Sequence, residues 1–258
     1  MREAQGRPTP SIAQVTLIGV FVTALVTAQL TAAKVIAIEL PIAIPMPIAG
    51  EMGALVMPGA ALAYAMTYLA SDCYAELYGR RAAQIVVNVA FGMNLVVVAL
   101  VLSTIAAPAA PNSPVDPGTF QEVLGPSLSI VIASMAAYLV SQNWDVLVFH
   151  RLRSATDGAH LWVRNLASTA SSQAIDSVIF VTLGFIVVPA LLGGRVMPAG
   201  AVVTLIVGQY ILKLAIAVFD TPVVYAVVHL VESRFGDESI VDPADGRMDE
   251  PSRVDSSS

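Results

Sequence analysis

Residues 15–33 read VTLIGVFVTALVTAQLTAA, an uncharged run long enough, when wound as a helix, to cross the hydrocarbon core of a bilayer. It is too long for a signal-peptide core, and no small-residue cleavage site follows it cleanly, so it reads as a first membrane span. That span extends to about residue 34, and five more apolar runs follow near 58–78, 84–107, 127–149, 166–191 and 200–232. The last is longer than a bilayer needs and should tilt or project inward. The expected fold is an all-α polytopic membrane protein. A short segment, 1–14, leads into a six-helix domain, 15–232, and an acidic tail, 233–258, follows it.

Composition agrees. Only 12% of the 258 residues are charged, and the mean hydropathy is +0.75. A soluble domain carries roughly a quarter charged residues because its surface must face water. The formal charge of −6 is mostly local. From Phe235 onward seven acids, Asp237 to Asp255, stand against Arg247 and Arg253, which leaves −1 for everything before. With Pro243, Pro251 and a terminal run of serines, this end reads as a disordered, solvated tail. No basic run points to nucleic acid. Cys73 is the only cysteine, which excludes an intrachain disulfide and a cysteine-based metal site.

Two connections stand out. Between Glu39 and Pro58 come Pro41, Pro45, Pro47, Gly50 and Gly53, with Ile42, Ile44, Met46 and Ile48 in alternation. Prolines forbid a continuous helix there, and alternation predicts an extended strand or hairpin. Such backbone cannot face lipid unpaired, so it should lie at the outer surface or fold back on protein. The other connection, Pro108 to Pro126, carries Asp116 and Glu122 but no base.

Positive charge sets the expected orientation, because cytoplasmic loops are enriched in Lys and Arg. Arg2 and Arg7 precede the first helix; Arg80 and Arg81 follow the second; Arg151, Arg153 and Arg164 follow the fourth; Arg234 follows the sixth. The alternate loops offer only Lys34 and Arg195. Both termini are thus expected in the cytoplasm, which requires an even number of spans.

The spans carry charges that a plain anchor would not, since a charge at a helix centre costs roughly 2.5–3.5 kcal/mol on insertion scales. Asp72, Glu76, Asp145, Asp176, Lys213 and Asp220 all fall in or at the ends of helices. Asn165, Thr169, Ser172 and Asp176 recur at intervals of four, three and four, as do Ser134, Tyr138, Ser141 and Asp145. Each set lies on one helical face. Gln209, Lys213 and Asp220 share a face of the last helix, with Ala217 filling the gap. Three polar stripes ending in aspartate could line one hydrated chamber. Plainer readings stand beside this one. Ser and Thr also bond to their own backbone or let helices pack closely. Lys213 with Asp220 reads equally as a structural ion pair, and Asp72 and Asp145 as solvated interfacial groups. His150 and His160 read as interfacial groups beside arginines, His229 lacks a ligand partner, and Trp144 and Trp162 suit the aromatic belt.

Enzyme motifs are poor. Asp157-Gly158-Ala159-His160 resembles the start of an alcohol-phosphotransferase signature, but the later aspartates are absent. There is no His-Glu-x-x-His pair, no Gly-x-Ser-x-Gly turn and no nucleotide-binding P-loop.

The second helix ends Ser71-Asp72-Cys73-Tyr74-Ala75-Glu76-Leu77-Tyr78-Gly79-Arg80-Arg81. The approach to the fifth and its first turns read Trp162-Val163-Arg164-Asn165-Leu166-Ala167-Ser168-Thr169, followed by Ser172-Gln173 and Asp176. Together with Ser141-Gln142, Asp145 and Phe149, and with Gln209-Tyr210, Lys213 and Asp220-Thr221-Pro222, these stretches resemble the queuosine precursor transporter family, also called the vitamin uptake transporter family. The likeness runs from about Val15 to Glu232 in consistent order; Leu77 stands where the family carries valine.

The resemblance implies a membrane carrier, working alone or as a homodimer, for a 7-deazaguanine-type base used in transfer-RNA modification. 7-Cyano-7-deazaguanine, 7-aminomethyl-7-deazaguanine and queuine are examples. It implies no enzyme activity and no cofactor. The substrate-binding candidates are Asp72, Glu76, Gln142, Asp145, Arg164, Asn165, Ser168, Gln173 and Asp176, with Lys213 and Asp220 as a coupling or structural pair. The side-chain chemistry agrees: a carboxylate such as Asp176 or Asp145 can accept from the adjacent ring N–H and amino donors of a guanine-like base. Gln142, Arg164, Asn165 and Gln173 could serve its other edges, and Tyr138, Phe180 or Tyr210 its faces. Two other classes remain beside the carrier: the substrate-binding membrane subunit of an energy-coupling-factor vitamin importer, and an intramembrane enzyme.

Overall fold

The computed structural model describes residues 10–46, 50–155 and 161–235, with side chains described except at 42, 44–46, 50–52, 155, 161–165 and 235. The acidic run beyond residue 235 and the first nine residues lie outside the described residues.

The chain is mostly helical. Helix α1 spans Ile12–Thr31, and the hydroxyl of Ser11 caps it by accepting from the Gln14 amide at 3.1 Å. Strands β1 (Val35–Met46) and β2 (Gly50–Pro58) then form an antiparallel hairpin. The fold is therefore not purely α, and the proline-rich segment takes the extended form that its alternation predicts. The ladder is regular from Val35↔Pro58 to Glu39↔Ala54, breaks, and resumes at Ile44↔Met52. Pro41 falls in the break, where a residue without an N–H cannot donate to the partner strand.

Helix α2 (Ala61–Tyr78) meets α3 (Arg80–Ala106) at Gly79, whose φ of +86° lies in a region open chiefly to glycine. Helix α4 (Pro117–Leu124) is short, begins with proline at its first position and is capped by Asp116. Helix α5 (Ser127–Ala155) is followed by α6 (Leu161–Thr182). The latter passes through a π-helical turn, Leu183–Val187, into α7 (Val188–Leu192), which stops at Gly193 with φ +73°. Helix α8 runs from Ala199 to Phe235 and contains Pro222.

Among the described residues, five helical stretches are long and apolar enough to cross a membrane: 12–31, 80–106, 117–154, 166–192 and 199–234. Helix α2 is not one of them, because Asp72, Glu76 and four tyrosines dilute it. It packs against α1, α3 and α8, where Thr67 and Tyr74 are buried, while Asp72 and Glu76 remain exposed.

The burial pattern is inverted relative to a soluble protein. Leu62, Leu100 and Phe219 are mostly exposed, while Gln29, Asn94, Gln209 and Lys213 are buried. Apolar groups outside and polar groups inside is the arrangement expected when the surrounding solvent is hydrocarbon. The core is alanine-rich. Ala28, Ala32, Ala60, Ala133 and Ala137 let helices approach closely around Ile130, Phe180, Val181, Phe185, Val202 and Leu205. A smaller cluster of Phe21, Leu25, Ala70 and Ala90 ties α1, α2 and α3 together.

Candidate substrate cavity

Helices α5 and α6 run antiparallel and are joined by two reciprocal polar contacts. Ser141 on α5 lies 3.3 Å from the Asp176 carboxylate on α6, and Ser172 on α6 lies 3.2 Å from the Asp145 carboxylate on α5. Each hydroxyl also reaches its own backbone, Ser141 to the Tyr138 carbonyl and Ser172 to that of Thr169. One turn separates the two contacts on each helix, so each stripe seen in the sequence is used partly as a zipper. Trp144 extends it by donating to Ser171 at 3.2 Å.

Where α2, α3, α5, α6 and α8 diverge they form, with Phe21 and Leu25 of α1, a cavity of about 490 Å³. That is within the range of small-molecule sites, roughly 300–1,000 Å³. At its wall Lys213 on α8 forms an ion pair with Asp176 on α6. Their side chains are only 8% and 19% exposed, so the pair is largely withdrawn from water. Lys213 is thus partnered with Asp176 and not, as the sequence allowed, with Asp220. Residues seven apart on one helix sit about 10 Å apart along its axis. Asp220 instead lies near Asp72, across the α2–α8 contact.

Of the sequence-derived candidates, Asp72, Gln142, Gln173, Asp176 and Lys213 line the cavity. Glu76 is one turn beyond Asp72 on α2 and exposed, outside the wall. Asp145 is held by Ser172, and Ser168 is buried without lining the cavity. The side chains of Arg164 and Asn165 lie outside the described residues. Tyr138 and Phe180 line the cavity and Tyr210 does not.

The wall also contains residues that the sequence did not single out. Helix α2 contributes Tyr64, Thr67, Tyr68 and Ser71 beside Asp72; these fall at helical spacing on one face, a pattern that was available but diluted by alanine. Helix α3 contributes Arg80 and Gln84. The Gln84 amide donates to the Tyr138 hydroxyl at 2.7 Å and to the Asn88 side-chain oxygen at 3.0 Å. The Tyr138 ring stacks on Phe91 with centroids 4.5 Å apart. Gln209 on α8, noted in the sequence as part of a polar stripe but not among the substrate-binding candidates, also lines the wall. Its side-chain oxygen and that of Gln173 are buried and have no hydrogen-bond partner. The cavity therefore offers flat aromatic surfaces, unsatisfied amide groups and two charges of each sign: Asp72, Asp176, Arg80 and Lys213.

A second cavity, of about 1130 Å³, lies toward the N-terminal end of α5, beside α4 and the π-turn, and is lined by Asp116, Glu122, Ser129, Phe185 and Arg195 among others. Along α5, Ser129 and Ile130 face this cavity, and Ser134 onward face the first; fully buried Ala133 lies between. Along α6 and the π-turn, Phe180 lines the first cavity and Gly184 the second, with fully buried Val181 between. The alanine-rich core thus separates two cavities as an apolar plug.

Comparison with known proteins places this architecture. The model of a family described as "Putative vitamin uptake transporter" matches residues 58–227. A "Probable queuosine precursor transporter" of Bacillus subtilis (strain 168) is 25% identical over 169 residues, which cover 65% of this chain and 70% of that protein. No solved structure matches. The family match takes in well over half of the chain and every residue of the first cavity's wall except Phe21 and Leu25, so this apolar, multi-pass membrane protein belongs to the vitamin uptake transporter family.

Proposed function

We propose that the chain imports a queuosine precursor, a 7-deazaguanine-type base, by binding it in the cavity between α2, α3, α5, α6 and α8. The observation that carries this reading is the cavity wall itself. It combines the ring faces of Tyr64, Tyr68, Tyr138 and Phe180 with the hydrogen-bonding groups of Gln142, Gln173, Asp176 and Gln209. A flat heteroaromatic base with both donors and acceptors suits such a wall, and an aliphatic or polyanionic solute does not. The named relative supports the substrate class. Asp176, held by Lys213 and Ser141, keeps lone pairs free for one further ligand donor, such as the N–H of the base's five-membered ring, because a carboxylate has about four acceptor positions.

Transport needs the plug between the two cavities to part. The packing there is close: a Cβ on Gly184 would come within 3.3 Å of the Ala133 methyl carbon. The π-turn beside it, Leu183–Val187, is a local departure from α-helical register of the kind often found at functional sites. Energy would come from a gradient or from trapping of the base inside the cell.

The test is uptake by the purified chain alone in sealed liposomes, with labelled 7-cyano- and 7-aminomethyl-7-deazaguanine. Accumulation that exceeds that of protein-free vesicles is the expected result. A binding subunit that depends on separate ATPases would give none, and would return the second class of function raised by the sequence.

In this reading α2 brings the spans to six, and both termini are cytoplasmic in the cell membrane, a topology that the arginine distribution supports. With Cys73 replaced by Ala, a single cysteine at Ser113 should react with impermeant maleimide in intact cells, and one at Ser154 only after lysis. The reverse pattern would overturn the orientation.

A further inference from the structure

Buried polar groups are normally hydrogen-bonded, and an acceptor sealed away from water without a donor is costly. The described residues contain few such groups. Gln29 lacks a partner at its oxygen, but its amide nitrogen is held by Ser134 at 3.2 Å and it does not line the cavity. Asn94 is unpartnered at both side-chain atoms and lines neither cavity. The remaining two are Gln173 on α6 and Gln209 on α8, and both belong to the wall of the first cavity. Gln209 is only 7% exposed, so water gives it little relief. Asp176, on the same wall, has partners without a ligand, in Lys213 and Ser141, and so is not left unsatisfied as the two glutamines are.

We infer that Gln209 is a ligand-reading residue of this carrier, whose side-chain carbonyl, with that of Gln173, accepts hydrogen bonds from the donor edge of the base. The inference rests on the proposed carrier function and assigns its specificity to particular atoms. A guanine-type base carries a ring N–H beside an exocyclic amino group, two neighbouring donors for two acceptors supplied by two different helices. Tyr64 and Phe180, which line the same wall, supply ring faces for the base. Ligand binding would satisfy both amide oxygens at once and tie α6 to α8 through the substrate as well as through the Asp176–Lys213 pair. A base without that donor edge leaves both oxygens unpaired, which is how a hydrogen-bonding site rejects a near-isosteric analogue.

The experiment measures equilibrium binding of labelled 7-cyano-7-deazaguanine, and of its analogue lacking the amino group, to the full chain in lipid nanodiscs. Gln209→Met, Gln209→Glu and Gln173→Met are compared with the unsubstituted protein. Each methionine variant is expected to bind the full base about 10- to 100-fold more weakly, as loss of a buried hydrogen bond implies. Gln209→Glu keeps an acceptor and should retain binding. One of the two methionine variants should show no further loss with the analogue, since the donor its glutamine served is already gone. Thermal stability of Gln209→Met should equal or exceed that of the parent, because an unpaired acceptor has been removed. Binding of the full base within twofold of the parent in Gln209→Met would overturn the assignment while leaving the carrier intact. So would equal loss for both ligands in both methionine variants, which marks a structural role. If the unsubstituted chain binds neither base, the carrier reading fails and takes this assignment with it.

Discussion

Deazapurine uptake is expected to disappear when Asp176 is changed to Asn. Asn fills nearly the same space but removes the charge opposite Lys213, whose side chain is 8% exposed. Breaking one partner of a buried ion pair typically costs about 3–5 kcal/mol, because the other charge is left without compensation. Against the roughly 5–15 kcal/mol that holds a domain together, that is a large fraction. Loss of uptake by the single variant could therefore reflect either ligand recognition or the stranded ammonium. Asp176→Asn combined with Lys213→Met separates the two, since no charge is then left unpaired. The double variant should recover thermal stability in detergent and still fail to take up the base. Recovery of uptake along with stability would mean that the carboxylate serves the fold alone. Unchanged uptake in the single variant would remove Asp176 from the site.

The origin of that pair shows where the sequence was informative and where it was not. Apolar runs located the long helices, because hydrocarbon imposes a minimum length, but not all their ends: α5 runs on to Ala155 and α6 begins at Leu161. Proline and alternation likewise located the hairpin, although it begins earlier than the segment they marked, at Val35. Stripes at intervals of three and four placed Ser141, Asp145, Ser172 and Asp176 on inward faces, since periodicity is a property of one helix. Which residue on one helix meets which on another is set by the approach of separate elements, and no periodicity records it. Lys213 could be assigned to Asp220 from spacing alone, yet the crossing of α6 and α8 delivers it to Asp176. Helix α2 was located, at 58–78, but its standing as a span was not legible for a related reason. Its polar face is matched to a cavity and to neighbouring helices, so its composition reports protein contacts and not membrane depth. Arg80 and Gln84 were read as belonging to a loop or a helix end, because Gly79 turns the chain so tightly that α3 begins at once.

Replacing Gly208 by Ala is expected to be as damaging as any single change in the molecule. A Cβ built there would stand 1.8 Å from the carbonyl oxygen of Val56, and 2.8 Å and 3.1 Å from that residue's carbonyl carbon and amide nitrogen. All three are main-chain atoms of β2, so no side chain can swing aside; the strand itself must move. Strand β2 is paired along β1, and Gly59 just beyond it donates from its amide to the Lys34 carbonyl at 2.6 Å. Moving β2 off α8 therefore also disturbs the junction between α1 and α2. The next residue on α8, Gln209, belongs to the cavity wall, so the displacement reaches the site directly. Overpacking a tight core costs typically about 1–3 kcal/mol, and a backbone overlap belongs at or above the top of that range. Intrinsic helix preference works the other way, favouring Ala over Gly by about 1 kcal/mol in a helix interior. Gly200→Ala on the same helix supplies the control, since nothing lies within 4 Å of the added methyl group. Fluorescence-detected size exclusion after heating should show Gly200→Ala melting at or slightly above the parent, and Gly208→Ala melting far below it or not accumulating as a monodisperse peak. Should Gly208→Ala melt and transport like the parent, the hairpin cannot rest its backbone on α8 at Val56, and that wall of the cavity would have to be rebuilt.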